Sequence, residues 1–199
     1  MATKKPAAPS NYCLYIELDG VTPPIWRRFW IEGSATLGKL HHTIQAVMGW
    51  GDYHLHEFQI GGVTYAEPDP ENQDLGSPPV DERKAVLSKV LEGISSFGYQ
   101  YDFGDSWQHS IKIEKIEAPS KYDLGCAVVE EGARACPPED AGGAHLYQVF
   151  LEQYAKNPKH KDVREFLRWA GEDFDPERFD RHAINATLTR MASNRWGNS

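Results

Sequence analysis

Two alternating runs, residues 97–103 and 107–116, stand on either side of the short turn Gly104-Asp105-Ser106. Side chains point to opposite faces along a strand, and a turn this short closes only an antiparallel hairpin. On the second run Trp107, His109, Ile111 and Ile113 share a face. Any fold for this chain must therefore hold a hairpin that carries a tryptophan and a histidine on one side. The connecting stretch, Tyr101 to His109, also brings together two carboxylates, a glycine and three aromatic rings.

The flanking sequence extends the pattern. Tyr12 to Leu18 alternates with Leu14, Ile16 and Leu18 on one side, and Ile25 to Ile31 follows after Pro23-Pro24. The second run has the faces Ile25/Arg27/Phe29/Ile31 and Trp26/Arg28/Trp30, where Arg28 can stack on the rings or cover them with its stem. Leu37, Leu40, Ile44, Val47 and Met48 recur at helical spacing, with Ser34 or Thr36 as cap, Gly49 and Gly51 as stop, and His41 on the apolar face. His54 to Ile60 alternates with His54, His56, Phe58 and Ile60 on one face, and Gly61-Gly62 turns the chain back.

Residues 66–80 read as a surface loop, 81–93 as a helix, and 118–143 as irregular. Three helical stripes close the chain, the last opened by Asp175-Pro176. Hairpins come first and helices last. That order predicts an α+β fold: a mainly antiparallel sheet built from hairpins, packed with helices, in a single compact domain with C-terminal helices. The domain is expected over residues 11–192, after a disordered tail at 1–10.

Composition narrows the function classes. The chain has 199 residues and a net charge of -8, with no basic run longer than the pairs Lys4-Lys5, Arg27-Arg28 and Arg83-Lys84. Such acidity opposes the counterion release that drives binding to a phosphate backbone, so nucleic acid is a disfavoured partner. Cys13, Cys126 and Cys136 form no CxxC pair and no disulfide framework. Neither a signal peptide nor a membrane span is expected, and the default location is a reducing cytoplasm. Aromatics make up 12%, with six tryptophans, which implies a core of large rings or a pocket lined by them.

The chain resembles the plasmid pRiA4b ORF-3-like family, some members of which carry the label of a transposon passenger protein of a TnpR type. The resemblance rests on Pro23 to Arg28, Leu37 to Trp50, His54 to Phe58, Tyr101 to His109, Cys136 to Asp140 with Gly142-Gly143, and Phe174 to Glu177. It spans about residues 12–185 and implies a compact α+β domain.

Residues of several types converge on the hairpin. Candidates for a ligand pocket are Trp107, His109, Asp102, Asp105 and Tyr101, joined by Trp26 and Arg28. His54, His56, His109 and Asp105 are the candidate metal ligands, since neutral imidazoles with carboxylates suit zinc, manganese or non-haem iron. A core role for the histidines and a turn-pinning role for Asp102 and Asp105 compete with that reading. Asp102-Phe103-Gly104 matches the kinase tripeptide, but no glycine-rich phosphate loop accompanies it. Glu139-Asp140 can cap the helix that follows.

No catalytic residue can be assigned, and no cofactor is expected, a divalent metal being the one alternative. The favoured function is a binding or accessory module, possible in mobile elements, that takes a protein partner or small ligand at an aromatic and histidine-lined cleft. The rivals are a metal-dependent hydrolase or nuclease using the His/Asp set, and a DNA-binding accessory protein acting through Arg27, Arg28 and the C-terminal helices.

Overall fold

A computed structural model describes residues 10–68, 78–119, 125–171 and 173–194. Nearly all of the expected tail, and the 69–77 part of the expected surface loop, lie outside the described residues.

Among the described residues eight strands form one sheet in the order β5-β4-β3-β6-β7-β1-β2-β8. They are β1 Asn11–Leu18, β2 Trp26–Glu32, β3 His56–Ile60, β4 Val63–Ala66, β5 Val80–Asp81, β6 Ser96–Tyr101, β7 Trp107–Glu117 and β8 Val128–Ala133. All neighbours run antiparallel except β4 and β5. The central hairpin β6–β7 pairs Tyr101 with Trp107 and Tyr99 with His109. Gly61 and Gly62 both have positive φ, 58° and 82°, as a two-residue hairpin turn requires. The α+β class expected from the hairpin-then-helix order is the one observed.

Helix α1, Leu37–Met48, starts at Thr36, whose hydroxyl accepts from the Lys39 N–H, and stops at the left-handed Gly49. Its stripe of Leu37, Leu40, Ile44 and Val47 joins Leu14, Ile16, Phe29, Phe58 and Tyr99 in one core. Burying each such side chain contributes about 1.5–3 kcal/mol. Helices α3 Gly143–Lys156 and α4 Lys161–Ala170 pack through Phe150 and Phe166, whose rings stack at 3.9 Å. Helix α5, Arg181–Ser193, covers the edge strand β8. Its Asn185 amide donates to the Val129 carbonyl and accepts from the Val129 N–H, so a side chain takes the place of the missing neighbour strand.

Four expectations need correction. The helix predicted over 81–93 is a 3₁₀ turn, Glu82–Lys84, followed by the four-residue α2, Leu87–Val90. Between them the backbone is extended: Leu37 N–H donates to Ala85 O and Leu87 N–H to Ala35 O, so pairing with residues 35–37 displaces helical bonds. The region read as irregular contains β8, which pairs with β2. Asp175-Pro176 makes one turn, and α5 begins six residues later, capped by Asp180. Finally, β3 begins at His56, so His54 lies outside the alternation that had placed both histidines on one face.

Candidate functional site

The tip of the β6–β7 hairpin is built around Asp102. Asp102 and Ser106 both adopt the left-handed conformation, with φ of 54° and 55°. Aspartate tolerates it because its short side chain can bond the local backbone. Asp102 Oδ1 accepts from the backbone N–H groups of Gly104 at 2.9 Å and Asp105 at 3.3 Å. The Asp102 N–H donates to the Leu55 carbonyl at 2.9 Å, which ties the tip to the segment before β3. Asp105 reaches away from the turn and accepts from the Gly142 N–H at 2.8 Å, at the start of α3. The approach is close: a Cβ on Gly143, where φ is +80°, would lie 2.6 Å from the Asp105 carbonyl oxygen.

The second oxygen of Asp102 faces a recess. His54 Nε2 lies 3.7 Å from Asp102 Oδ2, 3.4 Å from Asp140 Oδ1 and 3.8 Å from Glu139 Oε2. Glu139 is held in place by the Gly51 N–H at 2.8 Å and the Tyr101 hydroxyl at 3.2 Å. Burial, with a contribution from Glu139, holds the Tyr101 hydroxyl well above the usual tyrosine range, so it remains a donor. His54 Nε2 is sealed from solvent and has no hydrogen-bond partner among the described residues. Among the described residues no lysine or arginine pairs with Asp102, Glu139 or Asp140. The segments that carry the site also expose apolar side chains: Tyr53 and Leu55 on either side of His54, Phe103 next to Asp102, and Leu146 beside Gly142.

His41 and His56 lie deeper. The rings of His41 and His56 stack at 3.3 Å with an interplanar angle of 2°. His41 Nε2 lies 2.6 Å from Asp52 Oδ1 and its Nδ1 lies 2.9 Å from the Tyr99 hydroxyl. A carboxylate only accepts, so Nε2 carries the proton and Tyr99 donates to Nδ1, while Gln45 Nε2 donates to Tyr99 at 3.1 Å. Bonds from His41 and His42 hold the Asp52 carboxyl far below the usual range. His56 Nε2 bonds the buried Glu82 carboxylate at 2.8 Å. The Tyr99-His41-Asp52 sequence has the order of a proton relay, but Tyr99 is fully buried and no substrate reaches its hydroxyl. It is a core network.

The expected candidates are thus distributed over several places. His54 and Asp102 share the recess, with Asp105 beside it on Gly142. His56 turns to Glu82. His109 is buried against Trp50, edge-on at 5.2 Å, with Nδ1 3.3 Å from the Tyr99 carbonyl oxygen. Burial lowers its pKa to about 4. Trp107 and Tyr101 are fully buried beneath the tip. Trp26 and Arg28 lie on the opposite face of the sheet, where Arg28 covers Trp26 and Tyr15 and pairs with Glu114 and Glu131. Among the described residues, the groups close enough to share an ion are His54/Asp102/Asp140 and His41/His42/Asp52.

A profile of the plasmid pRiA4b ORF-3-like protein family matches residues 10–183. The chain belongs to that family. The uncharacterized protein y4hQ of Sinorhizobium fredii is 38% identical over 183 residues, which is 90% of this chain and 91% of that protein. The crystal structure of the protein of unknown function MM3350 from Methanosarcina mazei Go1 superposes with a TM-score of 0.76 at 37% identity, covering 88% of this chain and 97% of that one. Three of the stretches that carry the family resemblance meet at the recess: His54-Leu55, Tyr101 to Asp105, and Glu139 to Gly143.

Glu139 and Asp140 are the site residues whose role the sequence misassigned. The helix cap is Gly142, with no side-chain bond, and both carboxylates turn to His54 instead. Asp52 and Glu82, the carboxylate partners of the stacked histidines, show no distinguishing sequence signal. Each sits in a loop or a 3₁₀ turn, where an acidic residue is ordinary.

Proposed function

We propose that this chain is a binding module that works through the recess at the tip of the β6–β7 hairpin. Its partner is a protein segment that lays an apolar side chain on the rim formed by Tyr53, Leu55, Phe103 and Leu146. One observation carries this reading. Large apolar side chains are exposed on the same short segments that carry a group of carboxylates which, among the described residues, no lysine or arginine neutralises. Exposed apolar side chains grouped this way mark interaction sites more often than scattered ones do. The tip is suited to recognition because it is rigid: Asp102 ties it to the segment before β3, and Asp105 ties it to α3. A pre-organised surface loses less entropy on binding.

A displayed peptide library selected on the full chain tests this. Peptides with an aromatic or aliphatic anchor should be enriched, and Phe103→Asp and Leu55→Ser should each weaken their binding at least tenfold. Failure to enrich any peptide, or peptides that bind both variants as well as the parent, would overturn the reading.

The rival routes to nucleic acid have less support. The Arg27 guanidinium is buried and donates to the carbonyls of Val47, Trp26, Ala133 and Arg134, so it offers nothing to a phosphate.

A further inference from the structure

We infer that the recess is a divalent-cation site, with His54 Nε2, Asp102 Oδ2 and Asp140 Oδ1 as the protein ligands and an ion of the zinc class as occupant. This rests on the recess being the working site, and it names the cation that its carboxylates take. The key atom is His54 Nε2. It is sealed from solvent, lacks a hydrogen-bond partner among the described residues, and lies within 4 Å of three carboxylates from two separate parts of the chain. Leaving a buried polar nitrogen unpaired is costly, and an ion bonded to it removes that cost.

The spacing fits a metal better than a direct bond. An ion with bonds of about 2.0–2.1 Å in tetrahedral geometry sets its ligand atoms about 3.3 Å apart. The nitrogen lies 3.4 Å from Asp140 Oδ1 and 3.7 Å from Asp102 Oδ2. Small movements of the side chains close the difference, and Asp140, at 73% exposed, is free to make them.

The surroundings divide the labour as a metal site needs. Asp102 commits Oδ1 to the turn and leaves Oδ2 for the ion. Glu139, fixed by Gly51 and Tyr101, stands beside the site as a further carboxylate. One imidazole with two carboxylates suits zinc or manganese, and three protein ligands leave a coordination position for water or a ligand. The second His/Asp group is different in kind. In His41/His42/Asp52 the nitrogens already bond the carboxylate, at 2.6 and 3.1 Å, and no orphaned atom calls for an ion.

The test is calorimetric titration of zinc into untagged, chelator-stripped full chain, with elemental analysis of the loaded protein. One ion per chain is expected. Asp140→Asn, a surface change, should weaken uptake at least tenfold, and His54→Gln should abolish it. Asp102→Asn should weaken it while retaining the turn acceptor. His42→Gln should leave it unchanged. No uptake would overturn the site, as would uptake that survives both Asp140→Asn and His54→Gln. Loss in His42→Gln with retention in Asp140→Asn would move the ion to the other group and overturn it equally. If no ion binds but Phe103→Asp still releases the selected peptides, the cation site falls and the binding-module reading stands. The converse result separates the two the other way.

Discussion

His41 and His56 lie face to face, 3.3 Å apart and parallel to within 2°, and each directs its Nε2 to a different carboxylate. The stack joins α1 to β3, and the two carboxylates, Asp52 and Glu82, clamp its opposite sides. Two charged imidazoles cannot share so close a contact without strong repulsion. Burial and the neighbouring His56 both act to lower the His41 pKa, which falls to about 4 although Asp52 pulls it upward.

The clamp predicts unequal effects at Glu82, which is 4% exposed. Glu82→Ala strands the His56 nitrogen in the core and should cost about 1–3 kcal/mol. Glu82→Gln keeps an acceptor at that place and should cost clearly less. Urea unfolding of both variants measures the difference; equal losses would show that the bond contributes nothing beyond packing.

Stability should fall in mild acid. His109 has a pKa lowered from 6.5 to about 4 by burial, so the unfolded chain binds its proton first. The unfolded state holds more protons between those values, and stability therefore decreases as pH drops from about 6.5 to about 4, with no further loss from this group below. His109 alone accounts for about 3 kcal/mol across that window, and His41 acts in the same direction. Urea midpoints recorded from about pH 7 to pH 4 should show the decline, and His109→Gln should flatten it. A midpoint constant over that range would contradict the burial of these neutral rings.

At the hairpin tip, Asp102→Asn should be nearly silent for folding while Asp102→Ala should cost about 1–3 kcal/mol. Asparagine keeps the oxygen that accepts from Gly104 and Asp105, and it tolerates the positive φ of 54°. Thermal unfolding of the pair tests this; an asparagine variant as damaged as the alanine one would mean that the charge, not the turn bond, holds the tip.

Arg27→Lys should destabilise by more than about 2 kcal/mol, although it keeps the charge. The guanidinium donates from three nitrogens to the carbonyls of Trp26, Val47, Ala133 and Arg134, and an ammonium cannot span them. Chemical denaturation is the measurement, and a silent lysine variant would refute the fork geometry.

Gly143→Ala should cost about 1–3 kcal/mol, because it combines a left-handed φ with a 2.6 Å approach to Asp105. The strain falls on the junction that fixes α3 to the tip. Gly93→Ala, with φ of +79° but nothing near its missing Cβ, separates backbone strain from steric contact. If the two variants lose the same stability, the close approach is not the cause.

Much of the architecture was legible in the chain. Period-two alternation marked β1, β2, β6 and β7, and the period of 3.6 marked α1 with its Thr36 cap, because both depend on which faces a strand or helix must bury. Strand β8 was missed. It pairs at the sheet edge and finishes its hydrogen bonds with Asn185, a partner more than fifty residues away. The 85–88 segment misled for a similar reason: its apolar residues have helical spacing, but its backbone bonds the residues before α1.

For the site, the chain by itself determined a hairpin with a carboxylate-pinned turn at residues 101–109, since Asp102 acts on the N–H groups of Gly104 and Asp105 within three residues. Tertiary structure alone decided which histidine shares that place. His54 precedes β3 and swings to Asp102 and Asp140, while His56, two residues on, enters the sheet and stacks on His41. The start of a strand depends on its neighbours' hydrogen bonds rather than on its own side chains: pairing with β6 begins at His56, which keeps His56, Phe58 and Ile60 on one face and leaves His54 out of the alternation.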